Sequence, residues 1–369
     1  MSRLTDVNPQ EPRAKMAPLP AVDWSSIGRS APQPVAVEYG GPDAPLPPAD
    51  VALLTWTSAE WSALDHVWLD GAQAGVRWSK ELESEWYRYS RDVGTAQSDN
   101  AVAPLWGYYQ LVDVATSAGA TVRVLLFKCD AHLAHPPWIE GLIQMVQQVL
   151  TDSKPSWIYS IGTAGGSRED LRLGDVPLTN VAHIQLEKPE NGGVPISGQT
   201  FTCEAFPSTD LLEPAQSLMF DLSEVVTEAV LNDALTTLHG KYPDTQPFGY
   251  ADLVNAPLDP ANLGAPRALA MKGTPLLTTD YYYIAEGTDA EQYCFLEMDD
   301  AVIAYVAQQA GVNFAFARNI SDPLVAVTGA SGQPIPDDVR QDWSGQVYTE
   351  FGLYTSFNSA VATWAAIAG

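Results

Sequence analysis

The most informative patterning lies in Phe295–Pro323, FLEMDDAVIAYVAQQAGVNFAFARNISDP. Met298, Val302, Tyr305 and Val306 recur at helical spacing, which predicts an amphipathic helix turning these side chains to the core. Glu297, Asp299 and Asp300 stand at its start, where the positive end of the helix dipole favours carboxylates, and Gly311 supplies the stop. Val312–Ala317 is a short apolar run suited to a buried parallel strand, and Arg318-Asn319-Ile320-Ser321-Asp322 follows its carboxyl end. Ligands of open α/β sheets bind just beyond strand ends, so one helix and one strand bring two acidic groups to a common rim. Acidic helix starts and Ser-Asp strand ends also occur in proteins with no chemistry there.

The same period-reading organises the rest of the chain. Val51–Thr55 reads as a buried strand, and Thr57 or Ser58 caps a following helix with Glu60 and Trp61 in its first turn. Glu60 then stands at the rim as well, although the helix dipole alone accounts for a first-turn Glu. Val122–Phe127 is the next strand, and Trp138–Leu150 an amphipathic helix. Trp157–Ile161 runs into Gly162-Thr163-Ala164-Gly165-Gly166, a glycine-rich turn whose N–H groups can approach a ligand. It fits neither the dinucleotide nor the nucleotide-phosphate glycine signature. A strand follows Gly174-Asp175-Val176 and another spans Thr274–Thr278, ending in Asp280-Tyr281-Tyr282-Tyr283. Residues 323–342 read as loop, and Trp343–Ala368 as a helix broken near Gly352.

Two regions lack clear periodicity. Residues 1–49 carry ten prolines and read as an irregular arm that Trp24, Ile27, Val35 and Tyr39 could pin to a surface. A disordered tail and an arm reaching a neighbouring subunit are both open. Residues 70–104 read as an insertion or lid, and residues 187–270 as a second insertion with helical patches from 211 to 240.

Composition narrows the function classes. The 369 residues can bury a large core, and a hydrophobic share of 46% is that of an ordinary soluble domain. No apolar run reaches membrane-spanning length, and the first residues contain no signal-peptide core. Cys129, Cys203 and Cys294 are scattered without metal spacing, which points to a reducing compartment and a cytoplasmic protein. A formal charge of −26 without any basic stripe argues against DNA or RNA polymers as substrates. His132 and His135 lack a third ligand, so no metal site is expected.

Taken in order, strand–TSAEW, strand–GTAGG…GDV, TTDYYY, LEMDDA and RNISD resemble the nucleoside phosphorylase/nucleosidase superfamily. The sequence is most similar to its methylthioadenosine/S-adenosylhomocysteine nucleosidases. The resemblance spans residues 51–322 and is patchy between motifs. It implies a single-domain, three-layer α/β fold over residues 50–369, with a central mixed, partly barrel-like sheet flanked by helices. It also implies assembly into homo-oligomers, dimers or hexamers, without a cofactor. By the same resemblance Asp322 is the acid that protonates a departing purine, and Glu60 holds and activates the attacking water. Met298 would pack on the ribose, Asp299 would grip its hydroxyls, and Tyr282 would stack on the base with Tyr283 and Glu297 nearby. Gly162, Thr163, Ala164 and Gly165 would line the sugar, and Arg318 and Ser321 complete the implied binding set.

Two departures stand out. Asp299 is one methylene shorter than the family's usual glutamate, and the positions where phosphorylases carry phosphate-binding cations read TSAEW and FKCDAHLAH, with Lys128 alone nearby. Water is therefore the expected nucleophile and a purine nucleosidase the expected activity. A phosphorylase with an unrecognised phosphate site, and an inactive nucleoside-binding homologue, are the alternatives.

Overall fold

The computed structural model describes residues 17–69, 75–93, 105–134, 136–241, 248–283, 291–323 and 327–369. Its centre is a mixed sheet in which strands alternate side chains between two separate cores. In β1 (Val51–Thr55), Val51 and Leu53 enter one core while Ala52 and Leu54 enter the other. β2 (Gly107–Ala115) and β3 (Thr121–Cys129) form an antiparallel hairpin, and β3 lies parallel to β1. β4 (Trp157–Gly165) pairs in parallel with β1 on one side and with β9 (Asn313–Asp322) on the other. Further out lie β5 (Val176–Thr179), β6 (Val181–Gln185), β7 (Pro275–Thr279) and the two-residue β8 (Leu296–Glu297). Strands buried on both faces explain the unbroken apolar runs that made β1, β4 and β9 legible.

Helices cover both faces. α1 (Ser58–Trp68) and α4 (Asp337–Ala368) pack into the first core, and α2 (Trp138–Ser153) and α3 (Asp300–Ala310) into the second. The result is the expected three-layer α/β arrangement. The sheet branches at β4, which pairs with β1, β8 and β9, and its pairings among the described residues close no ring. β9 continues from the expected short run through Asp322, and β4 continues through the glycine-rich segment to Gly165.

Other boundaries differ from expectation for physical reasons. Met298 precedes α3 and is partly exposed rather than facing the core, because the helix starts only at Asp300. α4 begins at Asp337 and passes through Gly352 without a break. A Cβ at Gly352 would lie 2.8 Å from the ring of Tyr348, so this glycine makes room for an aromatic one turn earlier. Residues 70–74 and 94–104 of the expected insertion lie outside the described residues; between them run the helix Ser79–Glu85 and the strand Tyr87–Tyr89.

From Ala17 onward the proline-rich arm packs across its own chain. Leu19, Val22 and Trp24 are buried, and the Trp24 ring centre lies 4.4 Å from that of Trp364 on α4. Tyr354 donates to the Ala17 carbonyl at 2.8 Å, and Nε2 of His66 lies 3.1 Å from the Pro20 carbonyl oxygen.

Candidate active site

The site forms where β4 runs out of partners. β1 pairs with Trp157–Ser160 and stops, leaving the backbone beyond without a strand on that side until β8 meets Gly165. Glu60 fills the gap. Its Oε1 accepts the Thr163 N–H at 2.8 Å and the Thr163 hydroxyl at 2.7 Å. Its Oε2 accepts the N–H groups of Trp56 and Thr57, each at 2.9 Å, and the Thr55 hydroxyl at 3.1 Å. Glu60 thus closes a capping box with Thr57 at the start of α1 and ties β1 to β4. Gly162, at φ +146°, permits the approach, since a Cβ there would sit 2.5 Å from the Glu60 carboxyl carbon.

Asp322 stands at the other end of the same segment. The β4–β9 register slips between Ile320 and Asp322, so Ser321 is the extra residue of a bulge. Bulges re-aim the side chains beside them. Here the Asp322 Oδ2 comes within 3.4 Å of where a Cβ on Gly165 would stand. Ser321 Oγ donates to Asp322 Oδ1 at 2.6 Å, and Ser344 Oγ of α4 donates to Oδ2 at 2.6 Å. The Tyr282 hydroxyl completes the set. Burial raises the carboxyl above the usual aspartate range, and the three hydroxyls only partly offset this.

Tyr348 links the two acids. Its hydroxyl donates to Thr57 Oγ1 at 3.0 Å. Burial raises its pKa first, followed by the negative charges of Glu60 and then Asp322, so one ring senses both.

Below this rim lies a buried ionic cluster. Arg318 holds Asp300 in a bidentate pair, 3.0 Å from Nε to Oδ2 and 2.5 Å from Nη2 to Oδ1, and reaches Glu297 at 3.4 Å. Its guanidinium carbon lies 5.0 Å from the centre of the Trp56 ring. Burial disfavours the Arg318 charge, but Asp300 and Glu297 outweigh it and hold the pKa above its usual value. Glu297 Oε2 accepts the N–H groups of Asp299 and Asp300 at 2.6 and 2.9 Å, as expected of an acid opening α3. Burial, then the neighbouring Asp300, pushes Glu297 up to about 8. Asp299 rises well above its usual range through burial and then Glu297.

Glu60, Thr163, Ala164, Gly165, Glu297, Met298, Asp299, Arg318, Ser321, Asp322 and Tyr282 therefore gather around one strand end. Within this set the side chains do different work. The Thr163 N–H serves Glu60 rather than standing open, Arg318 is committed to Asp300, and the Tyr282 hydroxyl is turned to Asp322 and Ser344. Tyr283 packs against Leu277, Tyr293 and Leu296. His132 lies beside Asp299, while His135 falls outside the described residues. Among the described residues no group of three His, Cys, Asp or Glu side chains is placed to hold a metal ion, and no helix is long and apolar enough to cross a membrane. Ser344 and Tyr348 were not foreseen. They stand four residues apart on one face of a helix that carries many other polar residues, so the sequence holds no signal that singles them out.

No family model matches the sequence, and no curated protein matches it. Solved structures are similar to it. One is a 5′-methylthioadenosine/S-adenosylhomocysteine nucleosidase from Neisseria meningitidis in complex with methylthio-immucillin-A, at 15% identity over 86% of this chain and 97% of that one, TM-score 0.41. A Helicobacter pylori nucleosidase mutant with 5′-methylthioadenosine in its active site shares 11% identity over 86% and 98%, TM-score 0.43. A futalosine hydrolase mutant of Helicobacter pylori shares 11% over 86% and 97%, TM-score 0.43. The chemistry of this chain rests on its own residues.

Proposed function

We propose that this protein is a purine nucleosidase, an N-ribosyl hydrolase that splits the bond between sugar and base with water. Breaking that bond leaves positive charge on the sugar and negative charge on the base, so an acid beside the base must deliver a proton. The observation that carries the reading is the partner set of Asp322. Hydroxyls can turn from donor to acceptor when a carboxylate gains a proton, and Asp322 receives side-chain hydrogen bonds from Ser321, Ser344 and Tyr282. Backbone N–H groups cannot turn in this way, and they hold both Glu60 and Glu297. Asp322 is thus the rim carboxyl whose partners can follow it through a change of protonation, with its pKa raised by burial.

Glu60 acts on the sugar side. Its Oε1 bonds to the Thr163 hydroxyl can loosen to admit a water, while Oε2 stays anchored to β1 and α1. Lys128, the cation nearest the expected phosphate position, is paired with Asp130 at 3.1 Å, which favours water over phosphate as the nucleophile.

The test is base release from adenosine and 5′-methylthioadenosine, followed by chromatography with and without phosphate. Free base and free sugar at a rate independent of phosphate are expected. Ribose 1-phosphate formed only with phosphate would make the protein a phosphorylase, and tight binding without turnover would make it a nucleoside-binding protein.

A further inference from the structure

The C-terminal helix α4 reaches the surroundings of both acids from residues one turn apart. Ser344 Oγ donates to Asp322 Oδ2 at 2.6 Å, and the Tyr348 hydroxyl donates to Thr57 Oγ1 at 3.0 Å. Thr57 belongs to the cage around Glu60. Its N–H donates to Glu60 Oε2 at 2.9 Å, and its Oγ1 accepts the Glu60 N–H at 3.4 Å. Positions four apart share a face of a helix, so one stripe of α4 serves the acid on the base side and the cage of the acid on the sugar side. Gly352, four residues further on, leaves the space that the Tyr348 ring fills, since a Cβ there would lie 2.8 Å from it.

We propose that Tyr348 is a positioning residue: it fixes the roll of α4 and so keeps Ser344 aimed at Asp322 while Glu60 faces the sugar. The proposal rests on the nucleosidase reading. Strand pairing sets where the backbones of β4 and β9 lie, but their register slips between Ile320 and Asp322, so the sheet does not fix the aim of the Asp322 side chain. Hydroxyls fix it, and one of them, Ser344, rides on a helix outside the sheet. Apolar packing is non-directional and holds the roll of a helix less sharply than a hydrogen bond does. α4 has one such bond on another side, where the Trp343 indole N–H donates to the Leu253 carbonyl at 3.0 Å. The Tyr348–Thr57 bond is the anchor on the Ser344 side, and the two together stop the helix turning about either. General-acid catalysis depends on the aim of the donor in the transition state, so a loosened roll slows turnover and leaves substrate binding nearly unchanged.

The experiment measures kcat and KM for base release from adenosine or 5′-methylthioadenosine, whichever wild type cleaves faster. The proteins are wild type, Tyr348→Phe, Ser344→Ala, the double variant and Gly352→Ala. Tyr348→Phe keeps the ring and loses the bond, so kcat is expected to fall about five- to tenfold with KM within about twofold. Because the effect passes through Ser344, the double variant is expected to be no slower than Ser344→Ala alone. Gly352→Ala displaces the ring while favouring the helix, and is expected to lower kcat without lowering Tm. A wild-type kcat in Tyr348→Phe, or losses that multiply in the double variant, would overturn the proposal and leave the nucleosidase reading intact. A wild type that releases no base would overturn that reading instead. Crystal structures of wild type and Tyr348→Phe then decide the positioning role: the Ser344–Asp322 bond is expected in the first and broken in the second, and a bond kept in both would sink the proposal.

Discussion

Ser344 on the C-terminal helix donates to Asp322 Oδ2 at 2.6 Å, across 22 residues of sequence. The bond orients the acid and, with Ser321 and Tyr282, lowers a pKa that burial raises. As the proposed acid, Asp322 acts in its protonated form, so activity is expected to fall as pH rises through its folded pKa. In Ser344→Ala one lowering influence goes, and the falling limb of kcat/KM is expected at higher pH. Turnover at the optimum should drop about tenfold, the worth of one hydrogen bond to a charged group. A pH–rate profile of both proteins checks the shift.

Asp322→Asn removes the proton and preserves the shape. Loss of a general acid is expected to lower the rate of purine release by roughly 10²- to 10⁴-fold. Thermal unfolding should change little, since an amide can still bond to the hydroxyls around it. Full activity in this variant would dismiss Asp322 as the acid.

Glu60→Gln is expected to lose stability as well as rate. Five donors converge on the Glu60 carboxylate, and a carboxamide turns its NH₂ towards some of them whichever way it is placed. Each buried donor left unsatisfied costs about 1–3 kcal/mol, and urea unfolding should register about 3 kcal/mol in total.

The Arg318–Asp300 pair should behave as a unit. Arg318→Met leaves a buried carboxylate without its cation and is expected to cost about 3–5 kcal/mol. Adding Asp300→Asn should recover part of that loss. A double mutant as unstable as the sum of the singles would show the two side chains to be energetically independent.

Glu297 links stability to pH. Its folded pKa, raised to about 8, lies above the ordinary 4.5, so the folded protein keeps a proton that the unfolded chain gives up. Stability from this group therefore declines as pH rises from about 4.5 to about 8, and the penalty is complete above that. Asp299 has the same sign. Glu297→Gln mimics the protonated acid and should flatten the dependence of Tm on pH across that window.

The legible parts of this chain were those whose meaning is local. β1, β4 and β9 announced themselves because burial on both faces demands continuous apolar runs, and acids at positions 297, 299 and 300 marked a helix start. Glu60 carried two readings, and the structure contains a capping box and a cross-link to Thr163 in the same carboxylate. That second contact spans 103 residues, and no periodicity encodes it. Gly162 looked like a turn because glycine usually is one, yet its backbone stays in the strand and gives Glu60 room. Ser344 and Tyr348 are two polar residues among many on their helix, and only the neighbours that folding brings to them set them apart.

The long terminal helix has a consequence for biosynthesis. Glu60 precedes by more than 280 residues the tyrosine that reaches its cap residue Thr57, and the serine that holds Asp322 lies on the same late helix, so both follow Glu60 in synthesis by most of the described chain. A nascent chain can pair β1 with β3 and still have no aligned acids, because closure of the site waits on a contact between distant parts of the chain. A chain ending before residue 337 is for that reason expected to release no base, which an assay of that fragment checks.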